Sequence, residues 1–398
     1  MSSRLAIEGG EPVRRAPYPP WPVLGEEDEQ AVGEVLRSGR LTSLTGGTVA
    51  QFEAEFARYH GIKHCVAASS GTTAIHLALA AAGISAGDEV IVPTHTFIAS
   101  ATPILHQGAV PVFADVEADT FNVSRETIEP LLTPRTKAII AVHLNGHPAA
   151  MDGILRLAQD RGLVVVEDAA QAHGALYQGR KVGTIGRMGC FSFWEDKIMT
   201  SGGEGGAVIT DDDELAARLR MIRSHGEGPI AGERRYYHLV LGYNYRMPAM
   251  QAAVGLVQLR RLEEYLEARR RNAAYLTERL KEVPAVVPPY VAPYAVHSYY
   301  KYICRLRTDL RQAQGVSVDI ERFVAAVAAE GVPISRRYPT PLHRQPVFQK
   351  LGYGDVSCPV AERLAGELFI LLVHPTVSER DLDDVAAAIG KVAEAYGG

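Results

Sequence analysis

From about position 25 to 209 the chain alternates amphipathic stretches of helical period with short runs rich in β-branched and aliphatic residues. A strand that returns to its sheet through a helix pairs in parallel, and the resulting sheet carries helices on both faces. The pattern therefore predicts an α/β fold class with a mainly parallel sheet sandwiched by helices. Helices are expected over 27–38, 48–60, 72–82 and 149–161, where apolar residues recur near the three-to-four spacing. Strands are expected over 65–68, 89–92, 110–114, 137–143 and 163–167. Two more, over 190–193 and 207–210, flank a glycine-rich turn. Beyond Met247-Pro248 the texture changes to a long helical stretch, 249–278, whose charge run reads as a solvated face. A strand over 299–306 and helices over 319–330 and 378–395 complete a smaller C-terminal α+β domain. The expected division is a large domain with the N-terminal segment, residues 1–257, and a small domain, residues 258–398.

A chain of 398 residues offers ample interior for a cofactor. Its 41 Lys and Arg against 46 Asp and Glu give no electrostatic footprint for a polyanion, so nucleic acid is not expected as a partner. The four cysteines lie far apart without a Cys-x-x-Cys pair and are expected to be reduced and buried. The opening segment has no apolar stretch of signal-peptide type, and the run Leu368 to Val373 is too short to span a bilayer. A cytoplasmic protein with no membrane partner is expected. His60, His64 and His106 show no metal-ligand spacing, and no metal is expected.

Three segments carry chemistry. Ser69-Ser70-Gly71-Thr72-Thr73-Ala74 separates a buried strand from an apolar helix; such a turn presents free N–H groups and the positive helix end to an anion, or serves simply as a capped helix start. Leu163 to Asp168 is a strand whose carboxylates fall at its C-terminal end, where open parallel sheets place their ligand crevices. Asp168 is thus a ligand group or a turn residue, and the small uncharged residues after it leave room for a flat ring. In the third, Phe191 to Met199, Lys197 ends a buried strand among apolar neighbours. Burial of that kind favours the neutral amine that forms Schiff bases, whereas a surface lysine in a charged turn would not. The glycines that follow, Gly202 to Gly206, form neither a Walker loop nor a dinucleotide fingerprint.

An anion cradle, a carboxylate and an amine are together what pyridoxal phosphate requires. Here the sequence resembles the fold-type I pyridoxal-phosphate enzymes, specifically the DegT/DnrJ/StrS sugar aminotransferases. The resemblance covers nearly the whole chain. It rests on Ser70-Gly71-Thr72-Thr73, Pro93 to Ala101, Gly146-His147-Pro148, Glu167 to Gly174, Phe191 to Gly206, Gly242 to Met247 and Cys358 to Glu362. It implies a fold-type I transferase with pyridoxal 5'-phosphate as cofactor, Lys197 as the residue that holds it covalently and then moves the substrate proton, and Asp168 as the partner of its ring nitrogen. Gln171 matches the position beside the 3′ oxygen, and Phe97 the aromatic that stacks on the ring. Gly71, Thr72, Thr73 and Ser192 are matched to the phosphate site, and Asn244 to the asparagine that reaches it from a neighbouring subunit, which implies a homodimer with shared active sites. Tyr338 and His343 resemble a segment that closes over substrate; a structural histidine is an equal reading of His343.

The implied activity is transfer of an amino group from L-glutamate or L-glutamine to a ketone on a sugar nucleotide or cyclitol, in amino-sugar or aminoglycoside-type biosynthesis. Two alternatives stand beside it, a sugar dehydratase of the same family and a non-catalytic regulatory protein. Dehydratase members carry histidine at the lysine position, so Lys197 disfavours the first, and the retained Lys197, Asp168 and Gln171 disfavour the second. Ile198-Met199 follows the lysine where many members have asparagine, a variant of cyclitol-type and some cell-surface-sugar branches. The opening Leu5 to Gly10 with Pro20-Trp21-Pro22 resembles aminotransferases of inosose-like cyclitols.

Overall fold

A computed structural model describes residues 4–228, 236–307 and 319–396. Its strands in chain order are β1 (His64–Ala68), β2 (Glu89–Pro93), β3 (Val110–Ala114), β4 (Thr136–Val142), β5 (Val164–Asp168), β6 (Leu176–Tyr177), β7 (Arg180–Lys181), β8 (Met188–Ser192), β9 (Gly206–Thr210), β10 (Val286–Val287), β11 (Ala295–Val296), β12 (Tyr302–Leu306), β13 (Ile334–Arg336) and β14 (Leu368–Leu371). The main sheet has seven strands in the order β1-β9-β8-β5-β4-β2-β3. Every pairing from β8 through β5, β4 and β2 to β3 is parallel. Strand β9 runs antiparallel to both β8 and β1, because the chain turns back beside β8 through the glycine-rich segment instead of crossing over a helix.

The strands of this sheet are apolar on both faces, as the doubly covered reading requires: Val90 to Val92, Ala138 to Ala141 and Val165 to Val166 are all buried. The helix Gly71–Ala81 lies over β8 and β9 and buries nearly its whole circumference, so it shows almost no amphipathic contrast. Parallel pairing of β5 with β8 brings Asp168 opposite Cys190, two residues before Ser192. The C-terminal edges of these strands thereby define where a ligand can sit.

A second sheet, β10-β12-β14-β13, is wholly antiparallel and packs on the helices Leu262–Leu280, Ile320–Ala329 and Glu379–Ala395 around its own apolar cluster. Leu5 is buried in this cluster, with Val13 and Tyr18 against it, so the first residues of the chain pack with its last third. Strands β11, β6 and β7 form a small ribbon beside the main sheet.

The long helical stretch expected over 249–278 is two helices, Ala249–Arg260 and Leu262–Leu280, broken at Arg261. Arg261 leaves the helical ladder with its N–H on Gln258 O, while its guanidinium is held by Glu27 and Asp28 of the helix Glu26–Ser38. Nor is the whole charge run solvated. Arg269 is 2% exposed, because it falls on the stripe of Leu262, Leu266, Ala273 and Leu276 that faces the interior.

Candidate active site

The segment that starts the helix Gly71–Ala81 is shaped by a capping box. Ser70 Oγ accepts from the Thr73 N–H at 3.2 Å, and Thr73 Oγ1 accepts from the Ser70 N–H at 2.9 Å. Among the described residues the N–H groups of Gly71 and Thr72 keep no partner, and they open into a cavity of about 580 Å³. Gly71 is there because of Ser192: a Cβ on Gly71 would lie 2.6 Å from Ser192 Cβ. Removing that carbon leaves the Ser192 hydroxyl beside the helix start.

Asp168, at the end of β5, is 6% exposed. Its Oδ2 accepts from Ser100 Oγ at 2.7 Å and its Oδ1 from the Ala170 N–H at 3.1 Å, which fixes the carboxylate in the cavity wall. Lys197 sits across the same cavity, with its Nζ 4.6 Å from the centroid of the Tyr300 ring. Burial, then the positive charge of Arg337, pulls its amine down from 10.5 to about 7, against the opposing pull of Asp168 and Asp196. The amine therefore exchanges protons near neutral pH, as a nucleophile must.

Gln171 is held on both ends of its amide: Oε1 accepts from the Asn145 N–H at 2.9 Å, and Nε2 donates to Tyr338 Oη at 3.0 Å. Asn145 and Tyr338 both have φ in the left-handed region, 54° and 50°. Such backbone is costly for a non-glycine residue and gathers at sites where geometry matters. Phe97, 55% exposed, stands at the cavity mouth.

Of the residues singled out in the sequence, Gly71, Thr72, Phe97, Asp168, Gln171, Ser192, Lys197 and Tyr338 line this one cavity. Thr73 stands behind it, its hydroxyl spent on the capping box. Asn244 is not brought to this chain's cavity; it is exposed and bridged to Ser224. Nor is His343, which is fully buried, with Nδ1 2.6 Å from Thr94 Oγ1 and Nε2 2.9 Å from Glu362 Oε1. Those partners hold it in the packing beneath the site.

The sequence alone did not single out Tyr300, Lys301, Arg337 or Arg269. Lys301 Nζ donates to Asp196 Oδ2 at 2.6 Å, beside the lysine. Arg269 donates to the carbonyls of Tyr299 and Tyr300, each at 3.3 Å, and so supports the ring over which Lys197 lies.

The sequence profile of the DegT/DnrJ/EryC1/StrS aminotransferase family matches residues 22–390. The chain belongs to that family. It is 42% identical over 372 residues to the GDP-perosamine synthase of Caulobacter vibrioides, covering 93% of this chain and 96% of the relative. It is 36% identical to the L-glutamine:2-deoxy-scyllo-inosose aminotransferase of Streptomyces kanamyceticus, over 98% of this chain and 97% of the other. Among solved structures, an aminotransferase from Psychrobacter cryohalolentis matches with a TM-score of 0.89 at 36% identity, covering 96% of this chain and 100% of that one.

The protein is thus a transaminase of the fold-type I class with pyridoxal phosphate as its cofactor. The residues present fit that group. The bare Cα of Gly71, the free N–H pair and the Ser192 hydroxyl suit a phosphate; a fixed buried carboxylate and an amine that readily gives up its proton face each other across the same space.

Proposed function

We propose that this aminotransferase carries nitrogen from L-glutamate or L-glutamine to a ketone on a sugar nucleotide or cyclitol, for amino-sugar or aminoglycoside-type biosynthesis. The observation that carries the reading is the depressed Lys197 amine lying in one cavity with the fixed Asp168 carboxylate. The acceptor classes come from the relatives' names, one a GDP-sugar synthase and one an inosose aminotransferase.

In this reading pyridoxal phosphate supplies a carbonyl carbon that takes up an amino group and a ring that stores an electron pair. Lys197 would hold it and, once released, would carry the substrate proton between Cα and the carbonyl-derived carbon, in one direction for the donor and in the other for the acceptor. Asp168 accepts a charge-assisted hydrogen bond from the ring nitrogen, which keeps that nitrogen protonated. The free N–H groups of Gly71 and Thr72 and the Ser192 hydroxyl would hold the phosphate, whereas the Thr73 N–H is already spent on Ser70 Oγ. Gln171 sits beside the ring oxygen, and Phe97 and Tyr338 cover the cavity mouth against water.

The same reading takes the enzyme to be a cytoplasmic homodimer in which the partner subunit's Asn244 completes each phosphate site. It is supported by the exposed apolar run Tyr236, Tyr237, Leu239, Val240 and Leu241, just before Asn244 in sequence. No helix among the described residues is long and apolar enough to cross a membrane. The division into residues 1–257 and 258–398 belongs to the proposal too, supported by a second apolar cluster drawn from Ala273 onward; Leu5 joins that cluster, which ties the N-terminal segment to the small domain rather than the large one.

The test is incubation of the holoenzyme with amine-labelled L-glutamate or L-glutamine and a panel of keto sugar nucleotides and cyclitol ketones, followed by mass spectrometry. Labelled nitrogen in an amino product is expected. Loss of water from the sugar without amine would assign the dehydratase chemistry instead.

A further inference from the structure

Four cations other than buried Arg269 approach or line the cavity: Lys197, Lys301, Arg336 and Arg337. Lys301 is neutralised by Asp196, and Arg336 is paired with Glu321 and the Ala365 carbonyl. Lys197 is committed to the cofactor. Arg337 alone of these has no carboxylate within ion-pair reach among the described residues, yet its guanidinium is fixed. Nε donates to Asn145 Oδ1 at 3.2 Å, Nη2 donates to Gln171 Oε1 at 3.0 Å, and the plane lies 4.4 Å from the centroid of Tyr338.

We propose that Arg337 is the receptor for the α-carboxylate of the amino-acid donor. A guanidinium oriented by neutral acceptors keeps its full charge for a ligand, and its planar fork matches a carboxylate in two parallel hydrogen bonds. Position selects the α-carboxylate. In an α-amino acid the carboxylate is one carbon from the reacting nitrogen, so the group that binds it must stand close to Lys197. Both residues flank the same ring: Lys197 Nζ lies 4.6 Å and Arg337 Cζ 5.5 Å from the Tyr300 centroid. The positive field of Arg337 is felt at the Lys197 amine, second only to burial. The left-handed backbone of Asn145 and Tyr338 gains a purpose here, since these two residues hold the fork in place.

The assignment rests on transamination at Lys197, and its test separates the two. Calorimetry of the holoenzyme with glutarate, a dicarboxylate that cannot react, is expected to show binding in the parent and its loss in Arg337→Gln. In single turnovers with L-glutamate or L-glutamine and no acceptor, the variant's apparent Kd for the donor rises at least about thirtyfold, the penalty expected for truncating one partner of a buried charge pair. Arg337→Lys recovers part of both, and the KM of the keto acceptor keeps its parent value. On the ligand side, the parent disfavours 4-aminobutyrate against L-glutamate, and Arg337→Gln no longer does. Glutarate and donor binding unchanged in Arg337→Gln, or a loss confined to a phosphate-bearing acceptor, would overturn the assignment. A parent enzyme that binds glutarate but transfers nitrogen from neither amino acid would instead overturn the proposed function and leave Arg337 a carboxylate receptor.

Discussion

The indole N–H of Trp21 donates to the backbone carbonyl of Lys197 at 3.0 Å, across 176 positions of sequence. The same ring lies 4.9 Å from the guanidinium carbon of Arg269, whose donors hold the backbone of Tyr299 and Tyr300. The N-terminal segment therefore secures Lys197 and the Tyr300 ring beneath it through one side chain. Trp21→Phe is expected to keep the fold while losing about 1–3 kcal/mol, from a hydrogen bond and part of a cation–π contact. Urea denaturation measures that loss. If the contact positions Lys197, the variant also binds pyridoxal phosphate more weakly in an absorbance titration; unchanged affinity would reduce Trp21 to packing alone.

The Lys197 amine, lowered to about 7 by burial and by Arg337, has a pH signature of its own. Neutral amine accumulates above that value, so covalent uptake of the cofactor by the apo chain is expected to accelerate through about pH 7 rather than near the ordinary lysine range of about 10.4. For stability the sign runs the other way from a salt-bridged lysine. Between about 7 and 10.5 the unfolded chain binds a proton that the folded apo chain does not, so this group makes stability rise with pH across that window and penalises the fold below it. Lys197→Met should abolish covalent uptake and flatten the slope, both readable by mass after borohydride reduction and by urea titrations at several pH values.

Gly71 offers a steric test of the proposed phosphate cradle. A methyl group there meets Ser192 Cβ at 2.6 Å, too close for two carbons, and Ser192 belongs to the central strand β8. Gly71→Ala is expected to cost about 1–3 kcal/mol by overpacking and to displace the Ser192 hydroxyl. Cofactor affinity should fall with it, while Gly47→Ala, just before the helix Thr48–His60, with negative φ and no atom near its Cβ, serves as a control for the backbone effect alone.

What the sequence made legible here follows from range of interaction. Strands β3 and β5 and the helix Thr48–His60 are local patterns, read within a residue or so from their apolar period. Asp168 and Ser192 were visible because each ends a strand of the main sheet, where such ends converge, whereas Lys197, expected at a strand end, lies beyond β8 in the turn that leads back to β9. Arg337 was not, because its partners Gln171 and Asn145 stand 166 and 192 positions away and leave no mark on its neighbours. Arg269 did carry a signal. It shares a helical stripe with Leu262, Leu266, Ala273 and Leu276, and that period outweighs the flanking arginines that made the run look solvated. The antiparallel turn-back of β9 was hidden because a buried strand is apolar on both faces whichever way it runs.

Glu167, the residue before Asp168, supports the site from the opposite face of β5. Fully buried, its carboxylate accepts from His143 Nε2 at 2.8 Å and from the N–H groups of Gly183, Ile185 and Gly186 at 2.7, 2.7 and 2.6 Å. His143 Nδ1 accepts from the Ala149 N–H at 3.0 Å, which places its ring proton on Nε2, toward the carboxylate. Burial alone would raise this acid, but the His143 bond and the backbone donors outweigh it and hold the group below its ordinary 4.5. A carboxylate depressed on folding contributes stability that is complete above its unfolded value and lost as pH falls through the folded one. Acid unfolding of the parent should therefore include this step below about pH 4.5. Glu167→Gln turns an amide N–H₂ toward groups that are themselves donors, and is expected to cost about 3 kcal/mol at neutral pH while removing its share of the acid slope. Denaturation measured from pH 3 to 7 decides it: a variant with the parent's stability and acid slope would mean that Glu167 does not anchor the strand end that carries Asp168.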